Sequence, residues 1–273
     1  KLMQKFWPGP LTLLLKKKPI VLDIVTAGLP TVCVRLPAHP VALALIKAVG
    51  EPIVAPSANA SGRPSPTTAQ HVYHDLKGLI PLILDSGPTY LGLESTVLDL
   101  THAPPVILRP GAVTFEQLKK IIPNLNNHNH RNNPKDPSPS PGMKYRHYAP
   151  KAKLTLIIPS ITNVIARSLA AGGTERDPSL RSGQAPQSRG CTESDGIATP
   201  RSGSGLAMTD KQLAILDLRQ EKNLKKVARQ LFANLRQLDQ KGIKTIVVYG
   251  IEEKGLGHAI MNRLRKAASQ IIE

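Results

Sequence analysis

The chain has 273 residues, 41% of them hydrophobic and 3% aromatic, and it carries 36 Lys and Arg residues against 19 Asp and Glu residues. This length and composition provide for one large or two small globular cores. They exclude a membrane span, because no run of about 18 apolar residues occurs. The net charge of +17 suits a polyanionic partner such as a nucleotide or RNA, although few aromatic residues are present for stacking on bases.

The two cysteines, Cys33 and Cys191, fit neither a disulfide framework nor a paired metal-ligand motif. Since no signal-peptide pattern is present either, we expect a cytoplasmic protein. The sequence opens with "KLMQKFWPGP" and without a methionine, so we also expect it to be part of a longer protein.

Residues 1–122 predict a first α/β unit, in which strands and helices follow one another. In the predicted strand "TVCVRL", alternation places Thr31, Cys33 and Arg35 on a polar face and the three apolar residues on a core face. The segment "HPVALALIKAVG" predicts a helix that begins at Pro40 and stops at Gly50. Further strands are expected at "PIVA", "PLILD", "STVLDL" and "PVILR", and a closing helix at "TFEQLKKII".

The run "APSANASGRPSPT" at residues 55–67 consists almost entirely of small residues. It leads into a predicted helix with Ser65 as N-cap, Pro66 as first residue and Gly78 as C-cap. Its hydroxyl groups and the N–H groups of the first helical turn would together form an anion cradle. The motif GxxxxGK[ST] is missing, so the loop is not of the Walker type, and an ordinary capped turn is the alternative interpretation.

Residues 123–153 predict a linker, because they are rich in Asn, Pro and Ser, but the motif "KYRHYAP" near its end is more specific than a spacer requires. Residues 154–273 predict a smaller Rossmann-like parallel domain. Its strands are expected at "LTLII", "QLAILDL" and "KTIVVYG", and its helices at 162–172, 223–241 and 256–272. Within this domain, the composition of residues 172–208 predicts a disordered insertion.

Five motifs occur in a characteristic order: "WPGPLT", "VRLPAHPVA", "PIVAPSANASGRPSPT", "GLESTVLDL" and "ILRPG". They resemble the threonylcarbamoyl-AMP synthase family, that is, the YrdC domain. The segments "PGMKYRHYAP" and "GLGHAIMNRLRKAA" are similar to its longer, two-domain Sua5 form. The resemblance covers everything except residues 172–208. It implies an α/β fold, with an N-terminally truncated, YrdC-like twisted sheet and flanking helices followed by a smaller Rossmann-like domain.

The same resemblance implies a reaction and its partners. L-threonine, bicarbonate and ATP would give threonylcarbamoyl-AMP and pyrophosphate, and the product would pass to the tRNA threonylcarbamoyl-transferase machinery for t6A modification of tRNA. Magnesium would enter with ATP and be held mostly by phosphates and water. The choice among Asp85, Glu94 and Asp99 as its protein ligand stays open.

Site residues follow from the resemblance position by position, with no residue assigned as an acid or base. L-threonine would be bound by Arg35, Ala55 and Ser95. ATP would be bound by Thr31, Ser57, Asn59, Ser65, Arg109 and Tyr148. Asn59 is expected to shape the loop, and Tyr145 competes with Tyr148 as the tyrosine that closes over the nucleotide.

Several alternatives stand beside these assignments. Arg35 could form a surface ion pair, Ser95 could be a strand-edge hydroxyl, and Arg109 could be a turn residue. Family members begin with a further stretch that contains a Lys-Arg-Pro motif, which this sequence lacks, so turnover by this polypeptide is an open question. The competing functions are a double-stranded RNA- or tRNA-binding module, an inactive remnant of the synthase, and a carbamoyl-adenylate enzyme of hydrogenase maturation, whose zinc-finger cysteine pairs this sequence lacks.

Overall fold

Two sheets, each with its own helices, organise the chain. The structure is a computed structural model, and it describes residues 1–126, 147–159, 206–210 and 212–273. The first unit contains α1 (Leu2–Phe6), β1 (Leu11–Lys16), α2 (Asp23–Thr26), β2 (Thr31–Val34), α3 (Pro40–Val49), α4 (Ala69–Leu76), β3 (Thr96–Asp99), β4 (Val106–Arg109) and α5 (Phe115–Lys119). The second contains β5 (Lys153–Ile157), β6 (Leu206–Asp210), β7 (Leu213–Asp217), a 3-10 turn (Leu218–Gln220), α6 (Leu224–Gln240), β8 (Thr245–Tyr249), α7 (Leu256–Ala267) and β9 (Gln270–Ile272).

The first sheet has the strand order β2-β1-β3-β4. Strand β1 runs parallel to β3 and antiparallel to β2, while β3 and β4 are antiparallel. One face is a core: Leu11, Leu13, Leu98 and Ile107 pack with Leu118 of α5, the side chain of which is fully buried. The opposite face carries Thr12 and Leu14 of β1, and it is this face that positions the candidate site.

A bulge in β4 decides where Arg109 points. Leu98 pairs with Ile107, but the next pair joins Val97 to Arg109, so Leu108 is an extra residue in β4. Without that extra residue, alternation would place Arg109 on the core face beside Ile107. The bulge instead turns Arg109 onto the same face as Val97, which is a common use of bulges near functional sites.

The apolar faces predicted for β2 and α3 are largely exposed. Helix α3 begins at Pro40 and ends at Gly50 in the left-handed conformation, as predicted. Its apolar residues nevertheless remain open: Leu45 is 43% and Val49 is 52% exposed. Val34, predicted to face a core, is 39% exposed. The prediction that these faces belong to a core is therefore wrong for the described part of the chain, because no described residue covers them enough to bury them.

Four predictions for local structure in the first unit are wrong. The segments "PIVA" and "PLILD" form no strand. Ser65 does not cap α4. The cap is Thr68, whose hydroxyl accepts a hydrogen bond from His71 N–H, and the helix ends at Leu76 with Lys77, not Gly78, as C-cap. The helix begins later because residues 65–67 stay extended and the carbonyl of Thr67 accepts a hydrogen bond from Thr89 N–H at 2.9 Å.

The second sheet has the order β6-β7-β8-β5-β9. All neighbours run parallel except β6 and β7, which are antiparallel. Helix α6 buries the predicted apolar stripe, including Leu231, Phe232 and Leu235, against this sheet. The predicted helix 256–272 is too long, because α7 ends at Ala267 and residues 270–272 add the edge strand β9.

Some predictions concern residues outside the described part of the chain. The predicted insertion ends too late, since residues 206–208 belong to β6, and its remaining residues 172–205 lie outside the described ranges. The predicted helix 162–172, Tyr145 and most of the linker also lie there. The domain boundaries at 122 and 153 remain predictions. Among the described helices, none is long and apolar enough to cross a membrane.

The two units meet through buried arginines. Arg236 of α6 is 6% exposed, and its guanidinium donates to the carbonyl of Pro64 and to both carboxylate oxygens of Asp75, with Nη2 2.6 Å from Asp75 Oδ2. Close backbone packing adds to this contact, because a Cβ on Gly92 would lie 2.6 Å from Arg229 Cα. A side chain at position 92 would therefore push the units apart.

Candidate active site

The centre of the candidate site is a hydrogen-bonded group formed by Thr12, Ser95 and Arg109. Arg109 Nε donates to the Ser95 carbonyl at 3.0 Å, and its Nη2 donates to Ser95 Oγ at 3.1 Å. Ser95 Oγ also shares a hydrogen bond of 2.7 Å with Thr12 Oγ1. Ser95 is 4% and Thr12 is 8% exposed, so the guanidinium is held by groups that have little freedom to move.

The polar residues of β2 lie on the same face of the sheet as this group. Cys33 pairs with Leu14 of β1, and its thiol is exposed and close enough to Arg109 for that charge to act on it. Alternation places Thr31 and Arg35 on the side of Cys33, as predicted. Arg35 follows β2 by one residue and is exposed to solvent. Its side chain is therefore accessible to a ligand on this face.

The small-residue loop is divided between an exposed and a buried part. Ala55 and Ser57 are exposed. The Asn59 amide nitrogen spans the turn by donating to the carbonyls of Ala60 at 2.9 Å and Arg63 at 3.3 Å. Ser65 is buried and donates its hydroxyl to Glu94 Oε1 at 2.5 Å. The first turn of α4 lies beyond the loop, so the predicted cradle has no helix N-terminus at Ser65.

Tyr148 is buried in the second unit's core and is not an exposed lid. Its side chain is 2% exposed, and its ring stacks on Phe232 with 5.3 Å between centroids. Its φ of 65° is unusual for an aromatic residue, and such strained positions cluster at functional sites. Burial raises the pKa of its phenol, and the nearby charges of Arg263 and Arg109 oppose this effect. The hydroxyl end thus faces the candidate site, while the ring is part of the core.

Because Tyr148 is buried, replacing it should affect stability more than replacing an exposed tyrosine that closes over a ligand. A tyrosine that only closes over a ligand could be replaced by Ala with little change in melting temperature. Tyr148→Ala would instead remove a packed aromatic ring, and such changes cost about 3–5 kcal/mol. The neighbouring backbone also ties this segment to the small-residue loop, because Ala149 N–H donates to the Gly62 carbonyl at 2.9 Å.

Electrostatically, the site has an excess of positive charge. Burial raises the pKa of Glu94, but the charge of Arg263 and the hydrogen bond from Ser65 outweigh burial and lower it, so Glu94 is ionised. Burial, and next the charge of Arg263, lower the pKa of Arg109. Burial followed by the charges of Arg263 and Arg109 lowers the pKa of Lys266 to about 8. A bound anion would stabilise the charged forms of Arg109 and Lys266, whose pKa values are lowered by neighbouring positive charges.

The structure thus groups some predicted site residues and leaves others apart. Ser65, Ser95, Arg109 and Tyr148 belong to one connected cluster, Thr31 and Arg35 lie on the sheet face that continues it, and Ala55 and Ser57 lie on the exposed loop. Sequence reasoning missed Thr12 and Arg263 and left Glu94 as a possible metal ligand. A signal existed for Arg263: it stands in the apolar stripe of α7 between Ala259 and Ala267, where a charged residue is out of pattern.

The three carboxylates considered for magnesium do not converge. Glu94 is engaged by Ser65 and Arg263, and Asp99 accepts hydrogen bonds from Thr101. The Asp85 carboxylate accepts from Gly87 N–H in an exposed turn. Within the described ranges, no group of three or more His, Cys, Asp or Glu residues is arranged to hold a metal ion.

Comparison with known proteins decides the family. Residues 1–111 match the family described as telomere recombination, whose model is named for Sua5, YciO and YrdC, and residues 113–269 match the threonylcarbamoyl-AMP synthase C-terminal domain. The chain belongs to the threonylcarbamoyl-AMP synthase family. It is 42% identical over 268 residues to the synthase of Pyrococcus abyssi, and this match covers 98% of the chain and 72% of the relative. The Bacillus subtilis synthase gives the same identity and coverage.

Further relatives extend this result to a eukaryote and to a solved structure. The Schizosaccharomyces pombe synthase is 40% identical over 290 residues, covering 100% of this chain and 66% of the relative. The crystal structure of Pyrococcus abyssi Sua5 in complex with L-threonine superposes with a TM-score of 0.75 at 37% identity, over 100% of this chain and 75% of that one. The chain therefore has the fold of a two-domain threonylcarbamoyl-AMP synthase and belongs to a family of enzymes.

Proposed function

We propose that the chain forms threonylcarbamoyl-AMP from L-threonine, bicarbonate and ATP. The observation that carries this proposal is the hydrogen-bonded pair of half-buried Arg109 and buried Ser95, which lies on the same sheet face as the exposed Arg35. The guanidinium of Arg35 is thus available for the threonine carboxylate, and that of Arg109 for a phosphate of ATP. The proposal is supported by the identity to proteins named as this synthase and by the L-threonine complex of the Pyrococcus abyssi relative.

In the proposed arrangement, threonine is held by Arg35, the backbone of Ala55 and Ser95. ATP is held by Thr31, Ser57, Asn59 and Ser65 on one side, and by Arg109 and the hydroxyl of Tyr148 on the other. The excess positive charge around Arg109 favours a polyphosphate, because a bound anion relieves the repulsion between Arg109, Arg263 and Lys266.

The proposed reaction needs alignment and charge neutralisation more than acid–base chemistry. The threonine amine and bicarbonate combine to a carbamate with loss of water. A carbamate oxygen then attacks the α-phosphorus, forming a new P–O bond as the bond to the β-phosphate oxygen breaks and pyrophosphate leaves. Holding the reactants in line and neutralising the phosphate oxygens are sufficient tasks for the residues present. Magnesium would accompany ATP, coordinated chiefly by phosphates and water.

We further propose that the product serves t6A modification of tRNA in the cytoplasm, through a separate transferase. The positive net charge of +17 permits contact with RNA during this transfer. The RNA-binding module remains the competing function, and its signature would be tight binding of double-stranded RNA that weakens steeply with salt, without affinity for ATP.

A pair of substitutions tests the assignment of the two arginines. Losing one partner of a desolvated charge pair costs about 2–5 kcal/mol. Arg35→Ala should therefore weaken L-threonine binding at least about 30-fold in calorimetric titrations and leave ATP binding nearly unchanged. Arg109→Ala should weaken ATP binding more than L-threonine binding, because Ser95 loses the hydrogen bonds from Arg109 but keeps the one it shares with Thr12.

The matched control is Arg219→Ala, because Arg219 is an exposed arginine of the second unit, paired with Asp217 and stacked on Tyr249. This variant should bind both substrates like the parent. Equal losses of both affinities in the Arg35 and Arg109 variants would contradict the division of roles, and tight RNA binding by a chain that binds neither substrate would favour the competing function.

A further inference from the structure

Arg263 of α7 is fully buried at the junction of the two units, although its helix belongs to the second unit. Burial of a guanidinium is costly unless its charge is paired and its N–H groups are hydrogen-bonded. A sequence that keeps arginine at such a position has a use for its several directed donors.

The donors of Arg263 reach residues adjacent to the central pair of the candidate site. Nε donates to Glu94 Oε2 at 2.7 Å, and Glu94 directly precedes Ser95. Nη1 donates to the carbonyl of Pro110 at 2.9 Å, and Pro110 directly follows Arg109. One side chain of the second unit therefore fixes both backbone segments between which the Arg109–Ser95 hydrogen bonds are made.

The same guanidinium also contacts two other parts of the site. Its central carbon lies 5.6 Å from the centroid of the Tyr148 ring, within the range of a cation–π contact. Through Glu94 it is linked to Ser65, since that carboxylate accepts from both side chains. Nη2 of Arg263 is buried and has no hydrogen-bond partner among the described residues. The hydrogen bonds of this guanidinium are therefore made by Nε and Nη1.

Helix α6 provides a contrasting buried arginine. Arg236 also crosses between the units, but its partners are Asp75 and the carbonyl of Pro64. Asp75 lies on α4, and Pro64 directly precedes Ser65 of the small-residue loop. Arg236 therefore anchors α4 and the end of this loop, whereas Arg263 holds the two segments that carry the Arg109–Ser95 pair.

We infer that Arg263 is a positioning residue: it aligns Ser95, Arg109 and Tyr148 for the two substrates, so that α7 of the second unit forms part of the active site. This inference rests on the proposed function, because it assigns Arg263 to the site in which that function would take place. Arg263 acts through the residues it holds and does not itself contact the reacting groups.

The test compares Arg263→Met and Arg263→Lys with Leu264→Ala in the full chain. Leu264 is the next residue of α7, is also fully buried, and belongs to the second unit's core, so its variant controls for general destabilisation of this helix. Binding of L-threonine and of a non-hydrolysable ATP analogue is measured by calorimetry at a temperature where all variants are folded. The position of Tyr148 is followed by fluorine NMR of protein labelled with 3-fluorotyrosine, with Tyr148→Phe to assign its resonance.

We expect Arg263→Met to weaken binding of both ligands at least about tenfold and to shift the Tyr148 resonance, and Arg263→Lys to recover part of both effects. Leu264→Ala should lower the melting temperature and leave affinities and resonance near the parent values. If Arg263→Met binds both ligands like Leu264→Ala, Arg263 has a structural role only and the inference fails. If the parent chain itself binds neither ligand, the proposed function fails, and an unchanged Tyr148 resonance in Arg263→Met would then separately overturn the positioning role.

Discussion

Helices α3 and α6 differ both in sequence pattern and in burial. Helix α6 carries an apolar stripe opposite a charged face, whereas α3 has Lys47 as its one charged residue among apolar and small residues. Six apolar residues of the α6 stripe, from Val227 to Leu238, are buried in the core of the second unit, whereas α3 has no buried residue. The packing partner differs as well. In the second unit the described residues close a continuous core around Phe232, whereas in the first unit they form two smaller clusters, one on each face of the sheet, and neither contains a residue of α3.

This comparison shows what periodicity can and cannot predict. An apolar stripe reports which side of a helix prefers burial, but burial also needs a surface of matching shape. The exposed apolar residues of the first unit include Ile20, Ile24, Val54, Leu79 and Leu82, each at least 65% exposed. Substitutions in the two units should therefore differ widely in their effect on stability.

The largest effect is expected for Phe232→Ala. Phe232 is fully buried and supports the ring of Tyr148, so its loss leaves a cavity in the second core. The free energy of unfolding should fall by about 3–5 kcal/mol, measured by urea denaturation. A change below about 1 kcal/mol would show that the second unit is not packed as described.

An intermediate effect is expected from pH, through the contact between the units. Burial raises the pKa of the Asp75 carboxyl, but the hydrogen bond and charge of Arg236, with those of Arg63, outweigh burial and lower it from 3.8 to about 2. Between these two pH values the unfolded chain binds more protons than the folded chain, so folding is stabilised above pH 3.8 and the stabilisation is lost as the pH falls through about 2.

The loss should amount to about 2 kcal/mol, because each unit of pKa shift corresponds to about 1.4 kcal/mol. Urea denaturation of the parent and of Asp75→Asn between pH 6 and pH 2 measures it. The variant should be less stable at pH 6, and its stability should decline less between pH 4 and pH 2. Parallel declines in both proteins would mean that Asp75 does not titrate with a lowered pKa.

The smallest effect is expected for Leu45→Ala on α3. Leu45 is 43% exposed, so truncation leaves no closed cavity. The free energy of unfolding should change by no more than about 0.5 kcal/mol, as for ordinary surface positions. Leu235→Ala on α6 is the matched control, since it truncates the same residue type at a 1% exposed position and should cost about 2–5 kcal/mol. Equal losses of the free energy of unfolding in Leu45→Ala and Leu235→Ala would show that α3 is packed as tightly as α6.

Prediction from sequence succeeded where the signal is local and failed where tertiary contacts decide. Pro40 and Gly50 bound α3 as expected, and the stripe of α6 is buried as expected. The cap at Thr68 was missed because the hydroxyl of Ser65 is taken by Glu94, a residue distant in sequence. Periodicity could not foresee that residues 270–272 leave the helix to pair with β5.

In the candidate site, too, local sequence signals identified some residues, and tertiary contacts determine the rest. Alternation alone placed Thr31 and Arg35 on one polar face, and the motifs supplied Ser95 and Arg109. The direction of Arg109 depends on a bulge at Leu108, which no residue pattern in "PVILR" announces. Arg263 lies far along the chain from the residues it holds, so only the fold brings it to the site.

The most direct test of the account is pyrophosphate release by the chain supplied with ATP and magnesium. Release should require both L-threonine and bicarbonate and should stop when either is omitted. Arg219→Ala should release pyrophosphate like the parent, while Arg35→Ala should require far more threonine. Absence of release at saturating concentrations of all substrates, or release that is indifferent to threonine, would contradict the assignment of this site to threonylcarbamoyl-AMP synthesis.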